Sequence, residues 1–112
     1  MGTATATGYV LLGGAIAAEV TATSAMKYSE GFTRLWPSLL TVAGYLLSFV
    51  LLAQTLKTVS IGTAYAIWSG VGTAAIAVIG LLAFGETLTA AKLAGLALIV
   101  AGVVVLNTGG AH

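Results

Sequence analysis

The stretch Gly8-Tyr-Val-Leu-Leu-Gly-Gly-Ala-Ile-Ala-Ala-Glu-Val-Thr-Ala-Thr-Ser-Ala-Met26 decides what this chain can fold into. As a helix rising ~1.5 Å per residue it is long enough to cross ~30 Å of hydrocarbon, and it holds a single charged residue, Glu19. An acid at the centre of a membrane helix costs on the order of 3 kcal/mol, so a chain that keeps one there has a use for it. Glu19 is therefore the first candidate functional residue.

Three further apolar runs follow, from about Pro37 to Leu56, Ile61 to Phe84 and Ala90 to Leu106. Trp36-Pro37 opens the second: Trp suits the membrane interface, and Pro in a first helical turn loses no hydrogen bond. Lys57 places a cation at the negative end of that helix, Ser60 is the N-cap candidate for the third, and Asn107 with Gly109 and Gly110 is expected to stop the fourth. The runs do not alternate polar with apolar residues as barrel strands do, and four strands could not close a barrel. The expectation is an all-α membrane protein, a single four-helix transmembrane domain with spans near 8–26, 37–56, 61–84 and 90–106.

Composition agrees. Of 112 residues 59% are hydrophobic and 6% charged, against roughly 25% charged in soluble domains, and so small a soluble domain could not hide that much apolar surface. No Lys or Arg precedes Glu19, which argues against a cleavable leader and for a retained first helix. Cysteine is absent, which excludes disulfides and thiolate chemistry, and the one histidine, His112, reads as part of a solvated tail. The net charge of +1 is spread over separate loops, with no basic stripe to follow a phosphate backbone, so nucleic acid is not an expected partner. Alternating helices put Lys27, Arg34 and Lys92 on one side and Lys57 on the other, a bias small enough to allow insertion in both orientations.

Helical spacing then sorts the polar residues. Ala15, Ile16, Ala22 and Thr23 share the face of Glu19, mostly small residues that admit another helix or a flat ligand. Tyr45, Ser48, Phe49 and Leu52 share a face of the second span, and Tyr65, Trp68, Ser69 and Gly72 one of the third. One acid, several rings and a few hydroxyls suit a lipophilic cation, held by charge, apolar contact and cation–π attraction. For Tyr9, Trp36 and Phe84 packing or interfacial anchoring is the simpler role. Apart from Lys92 at the very start of the fourth run, no Lys or Arg lies inside an apolar run to pair with Glu19, and no second catalytic group accompanies it, so neither an enzyme nor a metal or cofactor site is implied. Gly70-Val-Gly72 follows no strand, so it marks a kink or close crossing rather than a nucleotide loop. Gly95 and Gly102, seven residues apart, form a stripe for close approach of a second copy.

Five segments in order carry a family resemblance: Ala-Ile-Ala-Ala-Glu-Val (15–20), Ser-Glu-Gly-Phe-Thr-Arg-Leu-Trp-Pro-Ser (29–38), Leu-Leu-Ala-Gln-Thr-Leu (51–56), Gly-Thr-Ala-Tyr-Ala-Ile-Trp-Ser-Gly-Val-Gly (62–72) and Gly-Leu-Ala-Leu-Ile-Val-Ala-Gly-Val (95–103). Over nearly its whole length the chain resembles the small multidrug resistance transporters. The resemblance implies an antiparallel homodimer in the bacterial plasma membrane, exporting cationic hydrophobic molecules in exchange for protons. On that reading Glu19 matches the essential carboxylate, Tyr45, Ser48, Tyr65 and Trp68 match the chamber, Gly70 and Gly72 match a bend in the third helix, and Gly95 and Gly102 fall in the dimer contact. Ala22 stands where the guanidinium-exporting branch has Trp, and Tyr45 resembles the quaternary-ammonium branch. Ala22 in place of a smaller Gly, and the longer Thr-rich N-terminus, depart from the pattern. Export of small guanidinium-like or polyamine cations, and a non-transporting assembly subunit, are the alternatives.

Overall fold

The computed structural model describes residues 3–108, apart from the side chains of residues 3–5 and 107. Four helices account for almost all of it: α1 (Thr3–Tyr28), α2 (Leu35–Thr55), α3 (Ile61–Ala83) and α4 (Ala90–Thr108). They form two compact units that divide between Val59 and Ser60, one holding α1 and α2 and the other α3 and α4.

The helix ends show where local chemistry overrides the apolar pattern. α1 runs beyond both ends of the expected span, so that Lys27 falls in its last turn, a favourable place for a cation. α2 begins at Leu35 rather than Pro37, with extended Arg34 as N-cap, and Pro37 still lies among the first four residues, whose N–H groups need no helical partner. It stops at Thr55, and Lys57 sits in the turn that follows, where Lys57 and Thr58 donate their backbone N–H groups to Gln54 O and Thr55 O. Ser60 caps α3 as expected: its Oγ accepts from the Thr63 N–H at 3.3 Å and donates to Thr63 Oγ1 at 2.8 Å. α4 continues past Asn107 to Thr108; Gly109, Gly110 and His112 lie outside the described residues.

In the first unit α1 and α2 join through a left-handed turn, with φ of 49°, 73° and 67° at Glu30, Gly31 and Phe32. Two of these are not glycine and carry strain, which the fully buried Ser29 offsets. Its Oγ accepts from the Phe32 N–H and its carbonyl from those of Thr33 and Arg34. The helices meet through small residues. A Cβ placed on Gly44 would stand 2.8 Å from Ala22 Cβ and 3.1 Å from the Ala18 carbonyl oxygen, so the backbones nearly touch there. At the other end Gly8 lies against Thr58 and Val59.

In the second unit Gly70 receives Val103 of α4: a Cβ there would be 2.7 Å from Val103 Cγ2. Gly85, with φ of 66°, turns the chain so that the Glu86 N–H returns to the Gly80 carbonyl. A cleft of about 690 Å³ beside this contact is walled by Gly70, Ala74, Val78, Val100 and Val104 among others, and one of about 370 Å³ includes Glu86, Thr87, Lys92 and Gly95.

Three helices, over Ala6–Tyr28, Leu35–Thr55 and Ile61–Ala83, are long and apolar enough to cross a bilayer, while the apolar part of α4, Ala90–Leu106, is shorter. The whole of α4, 19 residues or about 28 Å, approaches the hydrocarbon thickness. Large apolar side chains point outward from every helix, Val10, Trp36, Leu82 and Leu98 among them at 74–79% exposure. Such surface on all elements at once fits lipid rather than water.

Candidate functional site

Hydroxyl groups inside an apolar helix need partners, and most here use their own backbone. Thr21, Thr41 and Thr55 donate to the carbonyls of Ala17, Pro37 and Leu51, four residues back, at 2.8–2.9 Å, and Ser48 donates to Tyr45 O at 2.8 Å. This local bond satisfies the group without recruiting another element. Thr23 departs from the habit. Its Oγ1 donates to Glu19 Oε1 at 3.0 Å, one turn earlier on α1, and lies 2.6 Å from the Tyr45 hydroxyl on α2. With its proton committed to Glu19, Thr23 accepts from Tyr45, and a directed chain runs Tyr45, Thr23, Glu19.

The packing beneath sets this geometry. Ala22 and Gly44, the immediate neighbours of Thr23 and Tyr45, make the close α1–α2 contact, and Ala22 has no exposed surface. Glu19, Thr23 and Tyr45 are each half-buried. The Tyr45 ring stacks on Phe49 with centroids 6.3 Å apart and planes 17° from parallel, while Phe49 itself is exposed. Stacking fixes the ring and leaves its hydroxyl aimed at α1.

The structure thus brings Glu19, Thr23, Tyr45 and Phe49 together in the first unit. Ala15 and Ile16 are buried beside them in the sequence of α1. Ser48, fully buried, spends its hydroxyl proton on its own helix. In the second unit Tyr65 is exposed, Trp68 half-buried, and Gly70 and Gly72 buried within an unbroken helix. Nothing lies within 4 Å of a Cβ built on Gly95 or Gly102, so that stripe of α4 is open to close approach. Among the described residues no group of three or more His, Cys, Asp or Glu is placed to hold a metal ion. Gly44 escaped the sequence reading, although its signal was present: a glycine beside Tyr45, and Ala18 and Ala22 one turn apart on α1 to receive it.

Comparison with known proteins bears on what such a carboxylate serves. The family model described as Small Multidrug Resistance protein matches residues 7–99, spanning most of α1, all of α2 and α3, and about half of α4. The chain belongs to the small multidrug resistance family. It is 54% identical over 99 residues to the multidrug transporter EmrE of Escherichia coli, covering 88% of this chain and 90% of that protein. It is 48% identical over 105 residues to the multidrug resistance protein EbrB of Bacillus subtilis, covering 94% and 90%. With the quaternary ammonium compound-resistance protein QacE of Escherichia coli it shares 49% over 100 residues, covering 89% and 91%. As a member of the small multidrug resistance family with several bilayer-length apolar helices, it is a multi-pass membrane protein. The matched segment contains Glu19, Thr23, Tyr45 and Phe49.

Proposed function

We propose that this chain is a proton-coupled antiporter that exports lipophilic and aromatic cations, quaternary ammonium compounds among them, across the bacterial plasma membrane. Glu19 holds either a proton or a cation, and the exchange is driven by the proton gradient. The observation that carries the reading is one acid within a membrane-length helix, bonded to a hydroxyl chain and flanked by stacked rings. The names of EmrE and QacE, the first a multidrug transporter and the second a protein of quaternary ammonium compound resistance, support the substrate class.

The physical logic is competition. A carboxylate deep in an apolar medium is stabilised either by a proton or by a nearby cation, and taking up one disfavours the other. A lipophilic cation adds ring contacts at Tyr45 and Phe49 and cation–π attraction to its charge pairing. The helices act as one four-helix membrane domain, with α4 as the fourth crossing. Two copies associate in antiparallel fashion, with Gly95 and Gly102 at their contact, and Ala15, Ile16, Ala22, Ser48, Tyr65 and Trp68 complete the chamber. Gly70 and Gly72 allow α3 to bend as access alternates. Inverted pairing makes the two states the same structure with subunit roles exchanged.

Tetraphenylphosphonium binding to purified protein across pH, with wild type and Glu19→Gln side by side, tests this. Wild type should release protons on binding and lose affinity as pH falls, and Glu19→Gln should fold but do neither. Transport by Glu19→Gln in proteoliposomes under a proton gradient would sink the proposal. Tetraphenylphosphonium run against guanidinium in the same vesicles separates the two cation classes.

A further inference from the structure

Where Thr21, Thr41, Ser48 and Thr55 bond to the backbone of their own helices, Thr23 reaches side chains. It joins an acid on α1 to a phenol on α2 and has one proton to give. An ionised carboxylate only accepts, so Thr23 donates to Glu19, Tyr45 donates to Thr23, and the outer face of the phenol oxygen presents lone pairs. A protonated carboxyl can donate. Glu19 then donates to Thr23, Thr23 turns its own proton toward the Tyr45 oxygen, and the phenol proton swings outward. Each hydroxyl keeps its proton and rotates about its C–O bond, and the proton on Glu19 comes from water.

We propose that Thr23 is a positioning residue that relays the protonation state of Glu19 to Tyr45, reversing the polarity that the phenol shows to a bound cation. With Glu19 ionised, the Tyr45 oxygen adds its lone pairs to the attraction for a cation; with Glu19 protonated, the phenol O–H repels it. One proton therefore changes two contacts, and proton and cation exclude each other more strongly than charge cancellation at Glu19 alone allows. The stack on Phe49 keeps the phenol in place while its proton turns. Within this hairpin Tyr45 is the titratable group bonded into the chain. Tyr9 and Lys27 lie ten residues before and eight after Glu19 along α1, about 15 Å and 12 Å in rise, and Arg34 and Lys57 flank the two ends of α2.

The relay rests on the exchange reading given under Proposed function, and its test separates the two. Tetraphenylphosphonium affinity is measured against pH for wild type, Thr23→Val, Thr23→Ser, Tyr45→Phe, Thr23→Val with Tyr45→Phe, and Glu19→Gln. Thr23→Val keeps the side-chain shape and should bind about tenfold more weakly at high pH, where a bond to a charged group is lost, with little change at low pH. Thr23→Ser should restore the wild-type profile. Tyr45→Phe should flatten the profile in the wild-type background and do nothing more in the Thr23→Val background. A Thr23→Val profile parallel to wild type, or a Tyr45→Phe effect equal in both backgrounds, overturns the relay. Should Thr23→Val fail to fold, Tyr45→Phe alone decides, since it keeps ring and stack: a profile parallel to wild type overturns the relay, a flattened one supports it. Retained pH dependence in Glu19→Gln would instead bring down the exchange reading itself.

Discussion

Replacing Gly44 with alanine puts a methyl group where two helix backbones nearly touch, and the consequence reaches the carboxylate. The new Cβ would stand 2.8 Å from Ala22 Cβ, 3.1 Å from Ala18 O and 3.3 Å from Ala22 Cα. None of these atoms is the end of a flexible side chain, and carbon atoms rest ~3.5–4.0 Å apart, so α1 and α2 must separate by about 1 Å. Overpacking of this kind costs about 1–3 kcal/mol, while alanine gains about 1 kcal/mol over glycine as a helix former. The net effect on stability is a loss of about 0–2 kcal/mol. Function suffers more. Thr23 and Tyr45 adjoin the contact, and opening their 2.6 Å separation by about 1 Å takes it beyond hydrogen-bonding range. Gly44→Ala should therefore unfold only slightly earlier in detergent by circular dichroism, yet bind tetraphenylphosphonium about tenfold more weakly at high pH. Adding Ala22→Gly should recover part of the affinity, because it removes the nearest atom and leaves the Ala18 carbonyl in place. A Gly44→Ala protein as stable and as tight-binding as wild type would refute the link between this packing contact and the hydroxyl chain.

Two further substitutions probe the second unit. Gly70→Ala sets a Cβ 2.7 Å from Val103 Cγ2 and 3.5 Å from Val103 Cβ, and should destabilise by about 1–2 kcal/mol in thermal unfolding; pairing it with Val103→Ala should recover much of that, because the colliding methyl is gone. Ser60→Ala removes the oxygen that accepts from the Thr63 N–H and should cost about 0.5–2 kcal/mol, read as a lower melting temperature, whereas Ser60→Thr retains most of the cap.

The four helices were legible in the sequence because the bilayer imposes one rule on every residue of a span: be apolar, or have a partner. That rule marks the runs and isolates Glu19 without any knowledge of packing. Helix ends were legible where a single side chain decides them, as at Ser60, and less so where the backbone finds its own partners. α1 overran its apolar stretch because a fall in hydropathy does not by itself stop a helix. No proline lies between Thr3 and Tyr28, and the threonines and alanines near the start of α1 do not interrupt it. The site was legible only as a set of faces. Spacing put Thr23 on the face of Glu19 and Tyr45 on a face of α2, but the bond between them depends on which residue of α1 meets which residue of α2. That register comes from Ala22 meeting Gly44, a contact between two residues with almost no side chain to announce it.

The small residues and the polar ones on this hairpin are therefore parts of one device. A hydrogen bond between helices in lipid needs the backbones close enough for short side chains to meet, and threonine is short. Larger residues at Ala22 or Gly44 would push Thr23 away from Tyr45, and Thr23 would then have the recourse open to Thr21, Thr41 and Thr55, a carbonyl on its own helix. The acid would lose its neighbour and Tyr45 its partner while Thr23 stayed satisfied, so the hydrogen-bond loss would fall on the site rather than on the helix pair. The net packing cost at Gly44, about 0–2 kcal/mol, is a modest reason to keep Ala22 and Gly44 at their present size; a task for Glu19 that extends through Thr23 to Tyr45 is a stronger one.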